Sequence, residues 1–524
     1  MEIVEAVLAL IAVCIGFALV ARRLNMPYAV ILVLGGMALA FVPGLPAVTL
    51  DPQIALAFFL PPLLQASAWR TDWRAFRANI RPILLLAVGA VLFTAVVIAV
   101  VAKLLIPALP WAAAVALGAI VAPPDAVAAA AVLQRLRIPR RIVTVLEGES
   151  LVNDATALVL YRFAIAAVAA GGVAIEQAAF SFVLVAAGGI VVGYGVALAA
   201  AWVFPRLKDT LLVVAASFIA CFASFMAAEA FHLSGVMAVV TTGLVLGQKQ
   251  HATLSPQSRI AAVTVWQFVE FVLTSLVFIL TGLQLRAILD RITTHGVGEM
   301  VLLAVALSVA LIVARFVWVF PALYASRLIP SVRRSQPPPP VGHAVVISWA
   351  GMRGVVSLAA ALALPLDFPE RDLLVFLAFC AILATLVVQG TTLEWVIRRF
   401  KVEEPGVNGM APEEAAVRRH VAGATLAEIQ RRAEDILEGP VAQDLLAEYT
   451  DKARVFQGVA KGRGQAELEA RMRIRLAALR AGRRALLDHH QDGKLDDELL
   501  TALELEHDLE EIRILRLLGA APAH

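Results

Sequence analysis

Between Leu146 and Phe163 the chain reads LEGESLVNDATALVLYRF. Its flanks are apolar enough to cross a bilayer, yet it carries Glu147, Glu149, Ser150, Asn153, Asp154 and Arg162. Glu149 and Asn153 are four residues apart, as are Ser150 and Asp154, so on a helix each pair shares a face and the two faces adjoin. The stripe presents a carboxylate, an amide, a hydroxyl and a second carboxylate. Three more elements set polar groups inside apolar runs. VAPPDAVAAAAV holds Asp125 behind Pro123 and Pro124, SWAGMRGVVSLAAAL holds Arg353 between Gly351 and Gly354, and LPPLLQASAW holds Gln65 behind a proline pair.

Depth decides what these groups can do. At a helical rise of about 1.5 Å per residue, Asp125 lies about 15 Å from the basic cluster that begins at Arg135, Asp154 about 20 Å from Arg141, and Arg353 about 15 Å from His343. All three fall near the middle of a hydrocarbon layer about 30 Å thick. Charges there pair with one another or line a watered path, because burial in lipid costs them at least about 2.5 kcal/mol each. Arg353 fits the depth of Glu149 better than that of Asp154, so a structural Glu149–Arg353 ion pair is expected. A proton or a cation is then the means of neutralising Asp125 and Asp154. Competition between the two for one site is the minimal chemistry of cation/proton exchange. The expected metal is a transported monovalent ion at Asp154 and Asp125, with no catalytic residue and no cofactor.

The elements that must position these groups are membrane helices. The chain has 524 residues, 60% hydrophobic and 16% charged, with a net charge of +3. That balance belongs to a membrane protein, with the lipid bilayer as its main surroundings and no nucleic-acid partner. Thirteen apolar runs are long enough to be spans: 3–21, 26–44, 52–69, 82–102, 111–133, 142–168, 178–203, 210–231, 234–248, 261–284, 299–323, 343–364 and 372–397. Arginines and lysines crowd every second loop, from Arg22 and Arg23 to Arg398, Arg399 and Lys401. The positive-inside rule then puts the N-terminus outside and the chain beyond Lys401 in the cytoplasm. Pro123–Pro124 and Gly351…Gly354 interrupt the fifth and twelfth runs. Each of these is the middle member of a triplet, and the two run in opposite directions. Interrupted helices at corresponding places in inverted repeats point to a transporter's binding site.

After about Lys401 the composition changes. Pro405–Gly406 and Asn408–Gly409 read as a linker, followed by charged amphipathic helices. His489 and His490 are expected in an exposed turn, DHHQDGK. Cys14, Cys221 and Cys380 lie in apolar runs and read as packing residues. Gln65 reads as a satisfied core amide, Arg162 as the partner of a neighbouring acid, and Glu229 and Glu270 as vestibule candidates.

LEGESLVNDATALV resembles the GES-x-x-ND signature of monovalent cation/proton antiporters of the NhaP and animal sodium/proton exchanger type. PPDAVAAAAVL is similar to their TDP-V-A segment and AGMRGVVSLAAALALP to their G-x-RG stretch. HLSGVMAVVTTGLVLG, WQFVEFVLTSLVFILTG and VVQGTTLEWVI also resemble family segments. The likeness spans roughly residues 1–400. It implies an all-α polytopic fold of about thirteen helices with six-helix inverted repeats and two broken crossing helices. Residues 1–400 would form the antiporter domain, with a moving core (about 82–168 and 299–397) against a dimerisation scaffold (about 3–69 and 178–284). Residues 401–524 would form a cytoplasmic helical regulatory domain. It further implies a homodimer in the plasma membrane. Asp154 would bind cation and proton, Asn153 would organise the site, Ser150 and the Asp125 region would supply ligands, and Glu149 would pair with Arg353. Exchange would be electroneutral, because Asn153 stands where electrogenic relatives carry a second Asp. Two departures bear on the ion: Pro124 and Ala126 replace the Thr and Pro that flank the family's Asp, and Ala66 replaces an acid in the third span.

Sodium is the expected ion, with lithium or potassium as alternatives. Two other classes fit the residues less well than antiport. An intramembrane aspartyl protease using Asp125 and Asp154 as a dyad lacks a GxGD-type motif and leaves Arg353 and the inverted breaks unexplained. A transporter-like sensor acting through the tail has no catalytic motif there to support it.

Overall fold

The computed structural model describes residues 2–518, apart from 25, 44–54, 126–127, 130–132, 134–135, 137, 171–174, 292–295, 326–339, 404–411, 434–438, 461–464 and 492–496. Ala126 and the Pro405–Gly409 linker lie outside the described residues. The chain divides into two compact units, Met1–Glu404 and Pro405–His524.

Among the described residues the regular structure is helical throughout. The first unit contains α1 (Glu2–Arg23), α2 (Tyr28–Ala40), α3 (Leu60–Arg70), α4 (Trp73–Ala78), α5 (Ile80–Leu105), α6 (Trp111–Val121), α7 (Arg140–Ala170), α8 (Ile175–Val203), α9 (Thr210–Ala230), α10 (Gly235–Thr253), α11 (Pro256–Leu289), α12 (Val297–Ala325), α13 (Val341–Trp349), α14 (Val355–Leu362) and α15 (Arg371–Arg399). Among the described residues, seven of these helices are by themselves long and apolar enough to cross a membrane. The protein is a multi-pass, all-α membrane protein.

The two interruptions fall where the sequence places them. Helix α6 stops at Val121 because Pro123 and Pro124 cannot donate to the helical ladder. The twelfth run divides into α13 and α14 around residues 350–354, and Gly354 takes an extended conformation (φ −133°, ψ −152°) ahead of α14. Pro61 and Pro62 behave differently. They follow directly on the π turn Ala55–Phe59, and α3 continues unbroken to Arg70.

Among the described residues, three π-helical turns were not foreseen: Ala55–Phe59 before α3, Leu85–Ala90 within α5 and Thr385–Gln389 within α15. Each fits an extra residue into a turn, a feature concentrated at functional sites. The largest buried cluster runs through α2, α5, α6, α7, α11 and α15, with Leu32, Ile98, Leu117, Ile142, Phe278 and Phe379 in its interior. Cys14 and Cys221 are buried, Cys380 is half-buried, and all three are free.

The second unit contains α16 (Pro412–Arg432), α17 (Gly439–Ala460), α18 (Gln465–Gln491) and α19 (Asp497–Leu517). Val455, Val459, Leu468, Met472 and Ile514 form its apolar centre. His489 and His490 lie in the last turn of α18 rather than in a loop, where cationic side chains suit the carbonyl end of the helix dipole.

Candidate ion-binding site

The two interrupted spans meet at their breaks. The Asp125 N–H donates to the Met352 carbonyl at 2.7 Å, so backbone freed on each side satisfies the other. Asn153, fully buried on α7, donates its Nδ2 to the Pro124 carbonyl at 2.7 Å. The Arg353 N–H donates to Thr385 Oγ1 at 3.1 Å, in the π turn of α15. These bonds tie the two breaks to α7 and α15 at membrane depth, where freed backbone groups persist only if they find partners or line a cavity.

Gly354 is required by this crossing. A Cβ at that position would lie 1.9 Å from Asp125 Oδ2, so the carboxylate of Asp125 occupies the space a side chain would fill. It sits at the N-terminal end of α14, whose dipole and free N–H groups favour a negative charge.

A cavity of about 60 Å³ opens at this point, and its polar wall includes Asp125, Ser150, Asp154, Thr274, Gly354 and Ser357. Leu64 and Phe278 contribute to its apolar wall. A water needs roughly 10–15 Å³ of such space, so a small cation with one or more waters fits. Asp154 is 7% exposed. Among the described residues no donor or cation pairs with its carboxylate, and Asp125 is the charged group that acts on it electrostatically. Among the described residues, Asn153 Oδ1 is buried without a partner. The stripe expected from the sequence is thus resolved: Ser150 and Asp154 line the cavity, and Asn153 holds the Pro124 carbonyl.

The expected Glu149–Arg353 pair is not formed. Glu149 pairs instead with Arg315 of α12, through Nη1 at 2.6 Å and Nη2 at 2.8 Å, while Arg315 Nε donates to the Ile347 carbonyl at 3.2 Å. Both side chains are almost fully buried. Gly351 admits this arginine, since a Cβ there would lie 2.4 Å from Arg315 Cδ. Arg353 donates through Nη1 to the Gly351 carbonyl at 3.0 Å, and its Nε is buried without a partner. Depth alone could not choose between two arginines. Arg315 was passed over although the rule that singled out Arg353, a guanidinium inside an apolar run, applies to it equally.

The remaining sequence candidates fall outside the cavity. Arg162 pairs with Glu229 at 2.9 Å, and Glu270 with Arg70 at 2.6 Å. Gln65 is fully buried, but neither end of its amide has a partner, so it is not the satisfied core amide expected. Thr274 and Ser357 on the cavity wall were not foreseen.

A family model for the sodium/hydrogen exchanger transmembrane domain matches residues 7–399. The chain belongs to the sodium/hydrogen exchanger family. An uncharacterized Na(+)/H(+) exchanger of Mycobacterium tuberculosis is 32% identical over 526 residues, covering 97% of this chain and 96% of the relative. The sodium, potassium, lithium and rubidium/H(+) antiporter of Bacillus pumilus is 31% identical over 534 residues, covering 98% of this chain and 78% of the relative. The fold matches that of the sodium proton antiporter MjNhaP1 from Methanocaldococcus jannaschii with a TM-score of 0.60 at 18% identity, covering 77% of this chain and 100% of that one. The crossed breaks and the cavity are therefore features of a sodium/hydrogen exchanger transmembrane domain.

Proposed function

We propose that this exchanger moves one monovalent cation, sodium first and potassium or lithium as alternatives, against one proton across the plasma membrane, with Asp154 alternating between the two. The observation that carries the reading is the contrast between two buried carboxylates. Glu149 is neutralised by a two-point arginine contact, whereas Asp154, on the cavity wall, has no protein cation against it among the described residues. A buried carboxylate so placed takes up a proton or a metal ion, and the same charge cannot be satisfied twice.

In this mechanism Asp125 and Ser150 supply oxygen ligands of the kind hard cations take, and Asn153 organises the site through its bond to the Pro124 carbonyl. The Glu149–Arg315 pair braces α7 against α12 and keeps its own charge constant through the cycle. Cation and proton carry equal charge, and one carboxylate accepts one of either, so exchange is electroneutral. A core of spans around 82–168 and 299–397 moves against a scaffold of spans around 3–69 and 178–284 within a homodimer. The N-terminus is outside, and the helices after residue 401 form a cytoplasmic regulatory unit. The potassium alternative draws on the replacement of a hydroxyl by Pro124 and of an acid by Ala66, and on the name of the Bacillus pumilus relative, which includes potassium and rubidium.

The test is Asp154→Asn in proteoliposomes. It should abolish cation-driven proton movement while leaving the elution profile of the purified protein unchanged. Exchange at the wild-type rate by a folded Asp154→Asn variant would refute the mechanism.

A further inference from the structure

Hydroxyls buried in membrane helices ordinarily bond back to their own helix, and this chain follows the rule widely. Ser217 donates to Val214 O, Ser224 to Cys221 O, Thr281 to Val277 O and Ser348 to Ala344 O, at distances of 2.6–2.8 Å. Thr274 on α11 and Ser357 in the first turn of α14 do not. Both are nearly fully buried, at 2% and 1% exposure. Among the described residues neither hydroxyl has a hydrogen-bond partner, and both line the cavity that holds Asp154 and Asp125. Ser275 also lacks a partner but is not on the cavity wall. The cavity thus has two neutral oxygens without protein partners, from elements other than those carrying the acids.

We propose that the Thr274 and Ser357 hydroxyls are cation ligands that set the affinity and selectivity of this site. The inference rests on the antiport reading above. Its chemistry is that of a hard monovalent ion, which exchanges hydration oxygens for protein oxygens. Selectivity between such ions follows the number and field strength of the ligating dipoles as well as cavity size. Neutral hydroxyls also solve an electrostatic problem. With the acids already in the cavity, a third carboxylate would bind cation more tightly but leave more charge to neutralise when the cation departs. Hydroxyls add coordination without adding charge, so one proton still suffices to replace one cation.

Position separates the two. Ser357 lies three residues from Gly354, on the half-helix whose N-terminal end faces Asp125, and so travels with the site. Thr274 lies on α11, in the proposed scaffold, and so meets the ion only while the core is in the position seen here. Ser357 should therefore affect cation affinity from both sides of the membrane, and Thr274 chiefly from one.

The experiment compares wild type, Thr274→Val, Ser357→Ala and the double variant in proteoliposomes, with sodium, lithium and potassium added in turn from either side. Thr274→Ser and Ser357→Thr keep a hydroxyl, and Ser275→Ala removes one that is off the cavity wall. Each cavity variant should raise the apparent KM for the preferred cation about five- to tenfold, the change expected for losing one neutral ligand. The sodium-to-potassium ratio should shift. The hydroxyl-keeping variants should restore most of the affinity, and Ser275→Ala should match wild type. Proton release on adding sodium, lithium or potassium to detergent-solubilised protein gives the same comparison without transport, so a variant that binds but does not cycle still reports. Unchanged KM and unchanged selectivity in a folded double variant would overturn the proposal while leaving antiport intact. If wild type exchanged no cation at all, the antiport reading would fall and this inference with it.

Discussion

The Glu149–Arg315 pair predicts a specific pattern of stabilities. Its two contacts, at 2.6 and 2.8 Å, join side chains that are 1% and 3% exposed. Removing either partner leaves the other charged and dry, at a cost of about 3–5 kcal/mol. Glu149→Leu and Arg315→Met should each lose about that much. The double variant replaces the pair with apolar groups of similar volume and should return to within about 2 kcal/mol of wild type, because no charge is stranded. The resulting coupling energy is at least about 4 kcal/mol, above the usual range for contacting residues. Arg353 makes no ion pair with Glu149, and its side chain donates to the Gly351 carbonyl. A Glu149–Arg353 cycle should therefore give less than about 1.5 kcal/mol. Reversible unfolding in mixed detergent micelles reads both cycles. A Glu149–Arg353 coupling equal to or above that of Glu149–Arg315 would refute the assignment of the brace.

Gly354→Ala forces a Cβ to within 1.9 Å of Asp125 Oδ2. Displacing that carboxylate should slow exchange about 10- to 100-fold, with the protein still folded by size-exclusion chromatography. Gly351→Ala would press on Arg315 instead, at 2.4 Å from its Cδ, and should lower the unfolding transition without changing cation selectivity. Asn153→Ala strips the Pro124 carbonyl of its 2.7 Å donor and should cost about 1–3 kcal/mol in the same unfolding assay. Arg162→Ala removes a pair whose side chains are 54% and 34% exposed, so its effect on unfolding should stay below about 1 kcal/mol.

The breaks were legible in the sequence because their causes are residue types: two consecutive prolines, and two glycines flanking an arginine, in otherwise apolar runs. The stripe on α7 was legible because helical spacing is fixed. What the spacing could not supply was the third dimension. Arg353 and Arg315 are both buried arginines at the level of the breaks, and only packing shows that Gly351 leaves room for Arg315 to reach Glu149. Thr274 and Ser357 were missed for a different reason. A lone hydroxyl in an apolar run usually bonds to its own helix, so the type alone carries no signal, and the cavity that distinguishes these two does not exist in one dimension. The π turns are silent in sequence because one extra residue in a turn leaves composition unchanged. For His489 and His490, the charged run DHHQDGK suggested a turn, but the helix extends to Gln491 before it ends.

The central claim is cation/proton exchange on a single shared carboxylate. The most direct test is dequenching of a pH-sensitive dye in proteoliposomes holding an imposed pH gradient, as sodium, lithium, potassium and choline are added in turn, with and without a clamp on the membrane potential. The account predicts dequenching by an alkali cation but not by choline, at the same rate with the clamp on or off. A clamp-dependent rate would contradict one-for-one exchange, and silence with every alkali cation from folded protein would contradict antiport itself.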